Sequence, residues 1–371
     1  MAESNMKAVG CGLACLLAAL AGCGDYEIEV TVYDPDRAYN GYTFFESRSN
    51  KRILGVNMQG EVLWDVQVYD RLFPGEMNGF EYQRNGTLLF LQYGIPRIMD
   101  LSDYSILFKG HDIGGHHDST LTPMQTILCP TRENIQVDYE PWWPFTTLIA
   151  DVVTEVDVAR DEIIWEWHLR DYVDPIEHHH ESIEVVWGEG VRDWSHANTV
   201  QFIPDYVFKG QTYDAVLLNS RHLNTFYVID HATGDILWSC GEHGMFGAPG
   251  PGEELLFSHA HQVELLSDGH VTMYDNGNDR PVPSSRALEL SVDPVAQVAE
   301  EVWSWTEPGM YDWWGGDANR LPNGNVLLTN VEAGRLIEVT RSGEIVWEMF
   351  MTGLMGLLQH TIYNCERVPY E

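Results

Sequence analysis

The chain has 371 residues, 44% of them hydrophobic, with 56 Asp and Glu set against 21 Lys and Arg for a formal charge of −35 at pH 7. That length and apolar content are enough for one large buried core. The acidic balance excludes a nucleic-acid binder, which needs clustered Lys and Arg to neutralise phosphates.

In chain order the first element is a leader. Lys7 precedes an apolar run from Ala8 to Ala21, and Leu20-Ala21-Gly22-Cys23 has the form of a bacterial secretion signal ending on a lipid-attachment cysteine. The run is short for a bilayer span and sits at the extreme N-terminus. The expectation is therefore a signal peptide over 1–22, lipidation at Cys23, a linker over 23–40 and one folded domain over 41–371. Such a protein is exported and tethered to the membrane in the cell envelope, periplasmic or on the outer membrane. Export makes disulfides possible, and Cys129, Cys240 and Cys365 allow at most one.

From residue 41 a phrase recurs: an apolar strand ending in an acid, a turn, then Gly-Glu-apolar-apolar-Trp. Copies run through Val56-Asn57 and Gly60 to Trp64, Val156-Asp157 and Asp161 to Trp165, Ile229-Asp230 and Gly234 to Trp238, Leu288-Glu289 and Glu301 to Trp303, and Ile337-Glu338 and Gly343 to Trp347. A weaker copy joins Met99-Asp100 to Phe108. Intervals of 44, 57, 73, 65 and 44 residues separate the aromatic ends, the length of one four-stranded blade plus loops. Asn85-Gly86, Asp268-Gly269 and Asn323-Gly324 mark hairpins ahead of these phrases, since both turn residues must accept positive φ. The pattern predicts an all-β, six-bladed β-propeller of four-stranded antiparallel blades. The N-terminal unit lacks its first strand, and Thr361-Ile362-Tyr363 can supply it, so that pairing of the chain's two ends closes the ring.

The first strand of a blade lines the central channel, where small or apolar residues are expected. Three units carry imidazoles there instead, in Gly115-His116-His117-Asp118, Asp193-Trp194-Ser195-His196-Ala197-Asn198 and Ser258-His259-Ala260-His261-Gln262. Arg221 follows in Ser220-Arg221-His222. Imidazoles alone suit a transition metal or a nucleophile. An arginine beside them disfavours a metal and suits a tetrahedral oxyanion, whose oxygens its planar fork matches.

These segments, in this order and with Asp275-Asn276-Gly277 and Gly316 to Asn325, resemble the bacterial arylsulfate sulfotransferases from about Gly41 to the C-terminus. Ala260 stands where that family usually has Gln. The resemblance implies a six-bladed propeller that moves a sulfuryl group from a phenolic sulfate ester to a phenol through a sulfated histidine, by a ping-pong route with no cofactor. It implies His261 as nucleophile and His117, His196 and Arg221 as sulfate-holding groups. Asn198 and Asp118 fall in the same motifs and are assigned to the substrate site, with Trp194, Trp313 and Trp314 as walls for an aromatic acceptor. A neutral His261 is expected to need a pH above its ordinary pKa, about 6.5, and a cationic His117 or His196 to protonate the departing phenolate. No Gly-x-x-x-x-Gly-Lys-Ser/Thr loop offers a nucleotide a cradle.

Two rival readings use the same residues. One is a non-catalytic propeller that binds at the cell surface through its long loops; the other is a quinone-dependent dehydrogenase, whose blades end in a similar Trp phrase. His178-His179-His180 reads as a solvated loop and not a metal site, and Asp275 to Asp279 as a turn lacking the last carboxylate of a calcium loop.

Overall fold

A computed structural model of the protein describes residues 26–68, 79–137, 147–175, 191–250, 253–353 and 358–370. The leader, Cys23 and residues 178–180 lie outside these. Apart from one turn of 3-10 helix at Leu169–Asp171 the described secondary structure is β, and no helix in it is long and apolar enough to cross a membrane.

Six sheets follow one another along the chain. Blade 2 comprises Phe80–Gln83, Thr87–Gln92, Ile95–Asp100 and Ile106–Lys109. In blade 3 the strands are Thr120–Leu121, Thr126–Gln136, Thr147–Asp157 and Glu162–His168, and Val191–Asp193 pairs in parallel with the start of the third. Blade 4 runs Ala197–Phe208, Gln211–Ser220, Thr225–Asp230 and Ile236–Gly241. Blade 5 is His261–Leu265, His270–Asp275, Arg286–Asp293 and Val298–Trp305, and blade 6 is Ala318–Arg320, Val326–Asn330, Arg335–Val339 and Ile345–Gly353. Blade 1 joins Gly41–Ser47, Arg52–Val56 and Val62–Gln67 to the C-terminal Ile362–Pro369, which pairs with Gly41–Ser47 as its innermost strand. The expected closure by the two chain ends is thus present as a ladder of backbone hydrogen bonds.

The recurring phrase has a physical origin in each blade. Every pairing of third and fourth strands shifts register at the same step, leaving Leu63, Leu107, Ile164, Leu237, Val302 and Val346 without an opposite residue. This β-bulge explains the two consecutive apolar residues before each aromatic, and it sharpens the blade's twist. The side chain ahead of the turn, the amide of Asn57 or the carboxylate of Asp100, Asp157 and Asp230, accepts the N–H two residues on. In blade 5 that role falls to Asp293, four residues beyond the expected Glu289.

Residues 27–33, expected to be linker, form a fifth strand, Glu27–Tyr33, on the outer edge of blade 6. Tyr26, Ile28, Val30 and Tyr33 pack there over the bulged Val346, which is fully buried, whereas Leu63, Leu107, Ile164 and Val302 on open outer edges are exposed.

Among the described residues six apolar clusters occur, one at each blade–blade junction, including that between blades 6 and 1. Side chains on or just before the inner strands also tie blades together at five of the six junctions. Glu81 accepts from Leu121 N, Asp118 from Val200 N, Gln201 from Leu265 N, and Glu366 from Tyr82 N, while Asn319 donates to Cys365 O. Inner strands of neighbouring blades share no ladder, so these contacts satisfy backbone groups that would otherwise be buried unpaired.

Candidate active site

At one end of the disc the loops entering each first strand meet the turns between second and third strands. His117 and His196 lie just before Thr120–Leu121 and Ala197–Phe208, His261 begins His261–Leu265, and Arg221 sits in the turn after Gln211–Ser220. His117, His196 and His259 adopt φ of 63°, 54° and 55°, and Gly316 takes 104° before the first strand of blade 6. The same left-handed step thus recurs in four blades. For a non-glycine residue it costs on the order of 1–3 kcal/mol, which the surrounding structure must offset.

The rings converge. His117 lies 4.7 Å from His196 between centroids, His196 stacks on His222 at 4.6 Å, and Nδ1 of His116 is 2.8 Å from Nδ1 of His117. That last contact holds one proton between two nitrogens, so the two imidazoles are not both cations. Tyr363, from the closing strand, bridges the group, with centroids 6.3 Å from His117 and 6.1 Å from His261.

The protonation pattern of His261 follows from its neighbours. Asn276 Nδ2 donates to the carbonyls of Asp312 and Gly315 at 2.8 and 2.9 Å, which turns its Oδ1 toward His261 Nδ1, 2.8 Å away. Nδ1 therefore carries the hydrogen and Nε2 the lone pair. Gly315 N–H donates to that lone pair at 3.1 Å. A Cβ on Gly315, whose φ is 65°, would fall 2.9 Å from the Tyr363 ring, so only glycine brings this N–H so close. Burial first, and Arg221 second, push the His261 pKa down to about 3. His261 is thus neutral at ordinary pH, in contrast to the expectation of an acid limb near 6.5.

His117 and His196 are likewise held well below the usual histidine range. Burial is the main cause for both; His196 itself and Arg132 add to it at His117, Arg221 and Arg132 at His196. Both are therefore held neutral, and neither is the resident cationic acid expected from the sequence. His196 Nδ1 lies 2.6 Å from Asp193 Oδ2, a contact that favours the cation but is outweighed by desolvation and two guanidiniums. Asp193, His196 and His222 place ligand atoms within 4.8 Å of one another. The field that suppresses protonation of the two imidazoles opposes a metal cation for the same reason and favours an anion.

Arg221 donates from Nη2 to Trp313 O at 2.7 Å, bracing it across the mouth. Trp314, half-buried, stacks on Tyr363 at 6.3 Å and 13°, as a wall for an aromatic ring should. Trp313 is 49% exposed beside it. The other assignments are corrected. Trp194 is fully buried in the core between blades 3 and 4. Asp118 is committed to Ser119 N and Val200 N, and burial lifts its pKa to about 7. Asn198 donates to Ala260 O at 2.9 Å and accepts from Asn219 at 2.7 Å. Both hold neighbouring blades together, and Asn198 thereby fixes the residue preceding His261. Asp275 binds Ser258 N and the guanidiniums of Arg280 and Arg286, in keeping with a structural turn.

Sequence reasoning missed Tyr363, Asn276 and Arg132. Tyr363 is 1% exposed, its hydroxyl has no hydrogen-bond partner among the described residues, and burial holds its pKa well above 10. It is a neutral donor on a ring set between His117 and His261. The three cysteines are buried and unpaired, so no disulfide forms among the described residues.

The family model described as Arylsulfotransferase (ASST) matches residues 27–335. No curated protein matches the chain. Among solved structures, a Bacteroides caccae protein of unknown function aligns over 88% of this chain and 98% of its own, with TM-score 0.51 and 11% identity. The β-propeller domain of Myceliophteria thermophila Cps50 (Swd1) aligns over 88% and 98%, with TM-score 0.47 and 12% identity. At such identities the first of these likenesses speaks for the propeller fold alone.

Proposed function

Because the chain belongs to the arylsulfotransferase family, we propose that it transfers a sulfuryl group from a phenolic sulfate ester to a phenol through a sulfated His261. The observation that carries this reading is the fixed tautomer of His261, neutral, with its Nε2 lone pair in the field of Arg221 and within electrostatic range of His117 and His196.

In the first step Nε2 bonds to sulfur and the bond from sulfur to the aryl oxygen breaks, its electron pair leaving on the phenolate. The transition state resembles that of phosphoryl transfer, loose and with charge on the peripheral oxygens, so catalysis is positioning and electrostatic stabilisation. Arg221 supplies the fixed charge. Gly315 N–H, released from Nε2 as the new bond forms, is placed to donate to a sulfuryl oxygen. The entering anion adds negative charge beside the Asp193–His196 pair and favours its protonation, turning His196 Nε2 into a donor. The Tyr363 hydroxyl donates to the departing aryl oxygen. In the second step a phenol oxygen takes sulfur from Nε2 and loses its proton, which balances the proton gained by the first phenolate. The histidine returns unchanged.

Brief exposure of the protein to 4-nitrophenyl sulfate without acceptor, followed by mass spectrometry, should show one sulfuryl group on His261. His261→Asn should abolish the adduct and lower turnover by roughly a thousandfold or more, as expected on losing a covalent nucleophile. Turnover without any adduct on His261 overturns the route. A folded protein that neither labels nor turns over supports the non-catalytic binding reading instead. From the leader pattern we also propose export and lipid attachment at Cys23.

A further inference from the structure

Outside the transfer centre the mouth carries one more cation. Arg48 lies in the turn between Gly41–Ser47 and Arg52–Val56 and is exposed. Its guanidinium sits 4.4 Å above the centre of the Trp314 ring. In a chain where 56 carboxylates outnumber 21 Lys and Arg, this guanidinium makes no ion pair among the described residues. Trp314 is itself fixed, because its Nε1 donates to Glu332 Oε1 at 2.6 Å. A guanidinium stacked on an aromatic face keeps its in-plane N–H groups free for a carboxylate or sulfate.

The order of the groups matters. Trp314 stacks on Tyr363, and Tyr363 touches both His117 and His261. An aryl sulfate whose sulfur is at His261 therefore extends its ring along Tyr363 and Trp314, toward Arg48. Arg48 is also close enough to act electrostatically on His117 and Tyr363.

We propose that Arg48 reads a second anionic group on the aryl substrate, so that the preferred esters are aryl sulfates bearing a further carboxylate or sulfate on the ring. This rests on the sulfotransferase reading and deepens it. A neutral phenyl ring meets only the aromatic wall, whereas a ring anion also meets an unpaired, pre-oriented fork.

The test compares kcat/KM for 4-sulfooxybenzoate and 4-sulfooxybenzamide, with phenol as common acceptor, in the wild type and in Arg48→Gln. The two leaving groups differ electronically, and dividing the wild-type ratio by the variant ratio cancels that difference. The expected quotient is roughly five- to tenfold, the range for one semi-exposed charge-assisted contact, and it should shrink as salt rises from low ionic strength toward molar. A quotient near one overturns the role of Arg48 while leaving the transfer reaction standing. Failure of the folded wild type to turn over either ester overturns the sulfotransferase reading, and the inference with it.

Discussion

Acidification separates the structural account of the nucleophile from an ordinary histidine. The His261 pKa is pushed down to about 3 by burial and by Arg221. The sign is that of a base with a depressed pKa, so the active neutral form is lost only as pH falls through about 3. An unperturbed imidazole, with pKa about 6.5, would be about 1% neutral at pH 4.5, an approximately hundredfold loss between pH 8 and pH 4.5. With the depressed value, about 97% remains neutral at pH 4.5, and that loss disappears. The parameter to measure is kcat/KM for 4-nitrophenyl sulfate, because in a two-step transfer it reports the free enzyme and the first half-reaction alone. The ester does not titrate in this range. Protonation of the Asp193–His196 pair on anion binding acts in the same direction, toward higher kcat/KM in acid. The profile should therefore not fall between pH 8 and pH 4.5, with folding verified by circular dichroism at each point. A tenfold or greater fall with an apparent pKa between 6 and 7, in folded protein, refutes the electrostatic reasoning.

Two further outcomes follow from named contacts. Tyr363→Phe removes the unpaired hydroxyl at constant ring shape; it should cost about tenfold with 4-nitrophenyl sulfate and about a hundredfold with phenyl sulfate, since a poorer leaving group depends more on a hydrogen bond to its oxygen. Equal losses with both donors would remove Tyr363 from the leaving-group side. Arg367→Met strips the partner from Glu338, both side chains being fully buried with Nη1 and Oε2 2.7 Å apart. Loss of one member of a buried pair costs about 3–5 kcal/mol, and the thermal midpoint should drop by roughly 4–7 °C; an unchanged midpoint would show that closure does not depend on this pair.

Much of the fold was legible because the same local physics is written six times. A bulged residue before an aromatic, and a short Asp, Asn or Thr side chain accepting a backbone N–H in the turn behind it, leave a phrase that survives large differences in loop length. Blade 5 misled only because Arg286–Asp293 runs four residues past Glu289 before its turn. The strand Glu27–Tyr33 carries a signal of its own, the alternation of Glu-Ile-Glu-Val, but it stands outside the repeating phrase and so is not marked by it. The imidazoles stood out because channel-lining strands rarely carry them. Asp118 and Asn198 were misassigned for a related reason. Polar residues on inner strands are needed to satisfy the neighbouring blade's backbone, and one sequence cannot distinguish such a clamp from a substrate ligand in the adjacent position. Asn276 was visible only as part of a turn, since its role lies in two carbonyls 36 and 39 residues away.

The closing strand Ile362–Pro369 joins these two levels. One face supplies Arg367, which ties blade 1 to Glu338 of blade 6 and to Tyr39 O and Thr43. Four residues earlier on the same strand Tyr363 enters the mouth between His117 and His261. The pairing shifts register between Cys365 and Ile362, where three residues of the closing strand span two of Gly41–Ser47, so Tyr363 sits in an irregular step while Arg367 sits in the regular ladder beyond it. Loss of the pairing between Gly41–Ser47 and Ile362–Pro369 would withdraw both at once. Ring closure is therefore part of the chemistry, and weakening it should lower activity through the fraction of molecules in which Tyr363 is seated. Arg367→Met should then reduce kcat in step with the loss of folded protein on warming, with little change in KM for the donor among the molecules that remain closed.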